Sequence, residues 1–403
     1  MLKKLILLVL FTSTVAYSEC SSGAANQEKQ PIIMLLNFGT QTWGGIAIHC
    51  YNLHKLLNEN NIPSMIVVKP ESTMATTLTN LKIPYQLTTN FAETIAKLVK
   101  RKTPIILVCN KFNDVNQAKT IKASCTKSQQ KLIKIAYIQH NPATAKTFTR
   151  YKKIFRALDG VICVNPSYVA WLNLANKTQR LGIKTIVSIP PFFDEKKFLN
   201  PAPFSTKEDF FEKTFNLKLG DLPIITIVAH LQPCKNHKLL LEAIHELIYK
   251  RNRKAHVIFA GSNPHPQHTE LLKNLATQLK VEKYVHFIGF TDKTPELLYH
   301  SDMHVLPSTI ESFGIVNLEA GLMKKPTIGS TKTGAEHIIK HNTTGLIFKN
   351  DNLAELTNSI QTLLDNPDRA KSMGENAHAH IKKHFLNTAK MKKLSSFFDQ
   401  LFS

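Results

Sequence analysis

Glu311 and Glu319, with seven residues between them, flank a stretch whose other members suit an anion: Pro307-Ser308-Thr309-Ile310-Glu311-Ser312-Phe313-Gly314-Ile315-Val316-Asn317-Leu318-Glu319-Ala320-Gly321. The apolar run His304-Val305-Leu306 leads in as a buried strand, and Pro307 ends it because proline cannot donate to a ladder. Ser308 and Thr309 are turn formers, and Gly314 permits backbone that a side chain would strain. From Ile315 the apolar positions 315, 316, 318 and 322 suit a helix packed on a sheet. A helix start offers unpaired N–H groups and a partial positive charge, so the backbone around Phe313, Gly314 and Ile315 suits a phosphate. A carboxylate beside a phosphate is electrostatically misplaced unless it has other work, and gripping the vicinal hydroxyls of a ribose or hexose is such work. On spacing alone, a solvated helix glutamate and an ordinary first-turn glutamate remain equally open.

The wider context carries a resemblance. P-S-x-x-E-S-F-G-x-x-x-L-E-A resembles the E-x7-E signature of the retaining nucleotide-sugar glycosyltransferases of family 4 (glycosyl transferases group 1), which have the GT-B fold. Asp302 precedes it, and Lys325-Pro326-Thr327-Ile328, Thr333-Gly334-Ala335-Glu336 and Asn342-Thr343-Thr344-Gly345 follow, all in family order. The likeness is close over about 222–385 and looser over 31–200. It implies a donor nucleotide diphosphate-sugar, UDP- or GDP-linked, and a hydroxyl acceptor, with no cofactor and no metal. Lys235 and the N–H groups of 313–315, next to Ser312, would stabilise the leaving diphosphate. Glu319 would hold the ribose hydroxyls, and Glu311 would contact sugar hydroxyls near the reacting carbon. His230 stands where an arginine is usual, and arginine is always charged and bidentate whereas histidine is neither. Lys324 stands where glycine is usual.

The elements that must position these groups alternate. Strands are expected at 32–36, 64–68, 105–109, 133–138, 160–164 and 185–189, with helices near 46–58, 72–80, 91–101, 114–124, 149–157 and 167–175. A second series of strands is expected at 224–229, 256–260, 285–288, 303–306, 326–329 and 345–348. Repeated strand–helix units imply an α/β fold with parallel sheets covered on both faces, and the resemblance implies GT-B architecture: two Rossmann-like domains facing a central cleft. The expected domains are a signal or anchor at 1–30, an acceptor domain at 31–190, a linker at 191–221 and a donor domain at 222–385. The terminal helix, 386–403, would pack back on the first domain. Gly44-Gly45 after the first strand reads as a tight turn or a phosphate loop, and the family has such a loop over its cleft. His140 directly follows a strand, where α/β sheets place ligands; family members have a sugar-contacting histidine in a similar place. Gly261-Ser262-Asn263 suits a nucleotide-base loop.

At 403 residues the chain exceeds one ordinary core. A net charge of +22 points to an anionic partner. Between Glu93 and Ala157 fifteen lysines and arginines face two acids, Glu93 and Asp114. No nucleic-acid motif accompanies that excess, so an anionic membrane surface or a phosphorylated, lipid-linked acceptor fits better. The six cysteines form no CxxC pair, which argues against zinc. Residues 1–18 read as a secretory signal or an uncleaved anchor: a basic start, an apolar run from Leu5 to Tyr17, and small residues Ala16 and Ser18 at cleavage spacing. The enzyme would then lie on the cytoplasmic face, or be exported if the segment is cleaved. An exported two-lobed solute-binding protein is the alternative reading, and such a protein has no use for the 307–321 loop or for Lys235.

Overall fold

The computed structural model describes residues 30–38, 45–141, 145–199, 204–263 and 265–403. Gly44 and the signal-like segment lie outside the described residues. Apolar runs such as Ile32-Ile33-Met34-Leu35-Leu36 form strands because a sheet buried on both faces needs no polar alternation. The first series is β1 (Ile32–Asn37), α1 (Gly45–Glu59), β2 (Ser64–Val68), α2 (Thr73–Asn80), β3 (Tyr85–Leu87), α3 (Phe91–Lys100) and β4 (Ile105–Cys109). It continues through α4 (Phe112–Ala123), α5 (Lys127–Gln130), β5 (Ile133–Gln139), α6 (Ala145–Phe155), β6 (Gly160–Cys163), α7 (Ser167–Gln179) and β7 (Thr185–Ser188). All seven strands are parallel, in the order β3-β2-β1-β4-β5-β6-β7.

Helices α8 (Lys196–Leu199) and α9 (Lys207–Phe215) connect to the second series. This comprises β8 (Ile224–Val228), α10 (His237–Lys250), β9 (His256–Ala260), α11 (Pro266–Gln278), β10 (Val285–Gly289), α12 (Thr294–Tyr299) and β11 (Met303–Leu306). Then come α13 (Ile315–Leu322), β12 (Thr327–Ser330), β13 (Gly345–Phe348), α14 (Leu353–Asp365), α15 (Pro367–His384) and α16 (Asn387–Phe402). The six strands are again parallel, in the order β10-β9-β8-β11-β12-β13.

The chain passes between the sheets at Phe192 and Phe193. Each is 2% exposed, yet Phe192 packs in the first domain's core and Phe193 in the second's. It returns at α16, whose Leu394, Phe397 and Leu401 are fully buried in the first domain. Burying three such side chains contributes roughly 5–9 kcal/mol before entropy costs. The sequence pattern did not reveal β3, a three-residue, half-buried edge strand too short to alternate, nor the short helices α5 and α12. In both sheets the strand order reverses beside the first strand, between β1 and β4 and between β8 and β11. A crevice opens outside the carboxyl ends of the strands at such a switch point.

Candidate donor site at the second switch point

Two loops meet there, one after β8 and one after β11. In the first, Pro233–Lys235 makes a single 3-10 turn, and Asn236 in a left-handed conformation (φ 55°) swings the chain into α10. In the second, every carbonyl from Ser308 to Ser312 except that of Ile310 is held from elsewhere. Ser330 Oγ donates to Ser308 O (2.5 Å), Asn350 Nδ2 to Thr309 O (2.9 Å), Gly334 N to Glu311 O (2.9 Å) and Asn165 Nδ2 to Ser312 O (2.8 Å). Thr309 N donates to Cys234 O at 2.9 Å and stitches the two loops together. That stitch brings Lys235 Nζ to 2.5 Å from Glu311 Oε2, with the side chains 19% and 15% exposed. The sequence put both residues at the site; their pairing across 76 positions was not legible.

The loop's N–H groups remain available. Those of Phe313, Gly314 and Ile315 have no acceptor among the described residues. Gly314 caps α13 at φ 82°, and a Cβ there would lie 2.8 Å from Asn317 Nδ2. Gly334 must also be glycine, since its Cβ would meet Phe313 Cα at 2.2 Å. The Phe313 side chain is a core anchor, 2% exposed, so only its backbone can face a ligand. Two polar side chains outside the expected set of site residues sit beside this helix start. Asn317 is 1% exposed with neither amide atom partnered, and Ser308, equally buried, has an unpartnered Oγ. Asn317 gave no signal, because an Asn inside E-x7-E reads as a variable position, and Ser308 read only as a turn former within the P-S-x-x-E motif.

Glu319, on the second turn of α13, is half-buried, and its carboxylate has no hydrogen-bond or ion-pair partner among the described residues. Burial pushes its pKa up to about 7, with Lys197 pulling it down and Asp194 pushing it further up. His230 follows β8 and shares a hydrogen with Ser262 Oγ, Nδ1 to Oγ 2.5 Å. Burial, and then Lys235 nearby, hold its pKa below the usual imidazole range. It is neutral near pH 7, which leaves Lys235 as the cation of these two loops.

On the first domain, Gly45 opens α1. His140 follows β5, and its Nε2 lies 3.0 Å from Asn110 Oδ1. The His49 ring meets it edge-on at 5.1 Å. The domains touch across the cleft through Asn165 and Ser312, and through Ser167 Oγ and His337 Nε2 at 2.9 Å. A cavity of about 780 Å³ lies elsewhere, along edge strand β10 against Phe215, Leu217 and Phe287, and none of the site residues line it.

Two parallel-sheet domains joined by a double crossover, with an anion-receptive helix start at the second switch point, define the GT-B architecture. Residues 208–380 match the family described as glycosyl transferases group 1. It is 30% identical over 183 residues to the D-inositol 3-phosphate glycosyltransferase of Corynebacterium efficiens, covering 44% of this chain and 42% of that one. It is 29% identical over 195 residues to the GDP-mannose-dependent alpha-(1-6)-phosphatidylinositol monomannoside mannosyltransferase of Mycobacterium tuberculosis, covering 46% and 48%. The chain thus spans under half the length of these curated relatives. Among solved structures, Anabaena HepE in complex with UDP and glucose superposes with a TM-score of 0.74 at 17% identity, covering 92% of this chain and 99% of that one. A glycosyltransferase from Rickettsia africae gives 0.74 at 19% identity, covering 93% and 99%. These structures establish the shared fold. The solute-binding alternative is not favoured by any of these relatives.

Proposed function

We propose that the protein is a retaining glycosyltransferase that moves a sugar from a UDP- or GDP-linked donor to a hydroxyl acceptor. The observation that carries this reading is the start of α13: free N–H groups of Phe313–Ile315 beside Lys235, with one carboxylate on either side. The donor diphosphate would take the N–H groups and draw Lys235 from Glu311. Glu311 would then turn to hydroxyls of the transferred sugar, and Glu319 would accept from the ribose. As the anomeric carbon–oxygen bond to the diphosphate breaks, charge develops where these donors already point. The acceptor hydroxyl attacks from the same face, its proton passing to the departing phosphate oxygen, so the configuration is kept. Lys235 and the helix start would serve where a metal otherwise would. Donor classes named for relatives, UDP with glucose and GDP-mannose, agree with a nucleotide-sugar donor.

The acceptor would come from the first domain's side of the cleft. Arg150, Lys152, Lys153 and Arg156 lie in or beside α6, and on α7 Trp171 and Leu174 are 39% and 60% exposed. Phe148 and Trp171 rings 4.8 Å apart join the two helices. An aromatic and an aliphatic side chain among cations suit an anionic bilayer surface, which fits a lipid-linked acceptor in the cell envelope. No described helix is long and apolar enough to cross a membrane.

The test is a donor screen over UDP- and GDP-sugars, with nucleotide release and product anomers read by NMR. Release with retention, lost in Glu311→Gln, supports the reading; an inverted product, or full release by Glu311→Gln, refutes it.

A further inference from the structure

His140 is oriented by a residue with no part in the proposed donor site. Asn110, 3% exposed, directly follows β4. Its Nδ2 donates to Leu36 O at 3.0 Å, which turns Oδ1 toward His140. An amide oxygen only accepts, so His140 Nε2, 3.0 Å away, must carry the hydrogen. The ring's other nitrogen, Nδ1, has no partner among the described residues. Asn110 is itself fixed. Asp114, fully buried, accepts from the backbone N–H of Phe38, Asn110 and Lys111 at 3.0, 3.0 and 2.8 Å. These bonds tie the ends of β1 and β4 together at the first switch point, and the edge-on His49 ring closes one side of His140.

We propose that Asn110 is a positioning residue for His140: it fixes the Nε2–H tautomer and leaves Nδ1 as a hydrogen-bond acceptor for a hydroxyl of the bound sugar. This rests on the glycosyl-transfer reading and adds a chemical limit to it. The group facing Nδ1 must be a donor, so a sugar hydroxyl fits, whereas a phosphate or carboxylate oxygen would set lone pair against lone pair. Burial, and then Lys111, hold the His140 pKa down to about 4, so the ring stays neutral at working pH. The other titratable or charged groups around it are His49 on α1, Lys111 before α4 and Asp114 within α4.

The experiment combines ¹⁵N-histidine NMR with kinetics. His140 signals, assigned by their loss in His140→Gln, should show a protonated Nε2 and a bare Nδ1 in the wild-type protein. Asn110→Leu removes the acceptor; it should abolish the tautomer preference and lower kcat/KM about tenfold, the worth of one hydrogen bond. Asn110→Asp keeps an acceptor but adds charge, so it should raise the His140 pKa. Activity should then fall as pH drops through that raised value, where the imidazolium has no lone pair, and recover to within about twofold of wild type above it. A protonated Nδ1 in wild type would overturn the proposal. So would an unchanged tautomer and turnover in Asn110→Leu, or an unshifted pH profile in Asn110→Asp. The NMR arm needs no turnover: a donor screen without a hit would sink the glycosyl reading and leave the tautomer result standing.

Discussion

At the scale of single residues, the site is short of positive charge until a ligand arrives. Lys235 is neutralised by Glu311, and His230 has shed its proton. His230→Arg should therefore tighten UDP or GDP binding about tenfold, the worth of a charge-assisted hydrogen bond; calorimetric titration would check it. Glu319 behaves differently. Its folded pKa of about 7 lies above the ordinary glutamate value of 4.5, so the folded protein holds a proton that the unfolded chain has released between those values. Stability from this group is present below pH 4.5 and lost as pH rises toward 7. Glu319→Gln should be more stable than wild type above pH 7 by about 1–3 kcal/mol, discounted for its partial exposure, and should bind donor more weakly. Thermal melts from pH 5 to 8 would show the gap opening with pH. Glu311, Glu319 and Lys235 were legible because their signals are local: two acids around a helix start, and a lysine where the dipole disfavours it. Asn110, Asn165 and Asn317 were not, because a lone Asn after a strand or in a helix looks like a turn former or a surface residue. Their partners lie 30 or more positions away for Asn110 and 147 for Asn165.

At the scale of elements, strands were the most readable, since fully buried parallel strands are continuous apolar runs. Boundaries shifted where caps decide them: α4 begins at Phe112 rather than 114, because Asp114 holds the N–H groups of the turn before it. The family difference at Lys324 also resolves at this scale. Lys324 ends the α13 segment at φ 58°, left-handed backbone that costs a side chain about 1 kcal/mol and glycine almost nothing. Lys324→Gly should raise the melting temperature by a few degrees and leave nucleotide affinity unchanged, since the residue lies beyond the far end of the helix. A fall in stability would mean that the lysine side chain does more than its backbone strain suggests.

At the scale of the whole molecule, the two crossovers are clasped by Lys390. Its Nζ donates to Pro191 O at 2.7 Å and lies over the Phe192 and Phe193 rings at 5.2 and 5.0 Å. Asn387 adds bonds to Glu195 Oε2 (2.6 Å) and Phe193 O (2.8 Å). The sequence showed a Pro- and Phe-rich break there, but the helix that covers it comes almost 200 residues later, beyond any periodicity. Burial lowers the Lys390 pKa from 10.5 to about 7, with Glu195 pulling it up. The unfolded chain thus binds more protons between those values, and stability should rise with pH from 7 toward 10. Denaturant unfolding should show that slope in wild type and lose it in Lys390→Met. The clasp fixes how the first domain faces the loops after β8 and β11, where a nucleotide diphosphate would be gripped by the start of α13. Titration calorimetry of UDP and GDP into wild-type protein and into Lys235→Ala probes that grip most directly. One of the two nucleotides should bind, with affinity reduced at least tenfold in Lys235→Ala; binding of neither, or equal binding by both proteins, would contradict it.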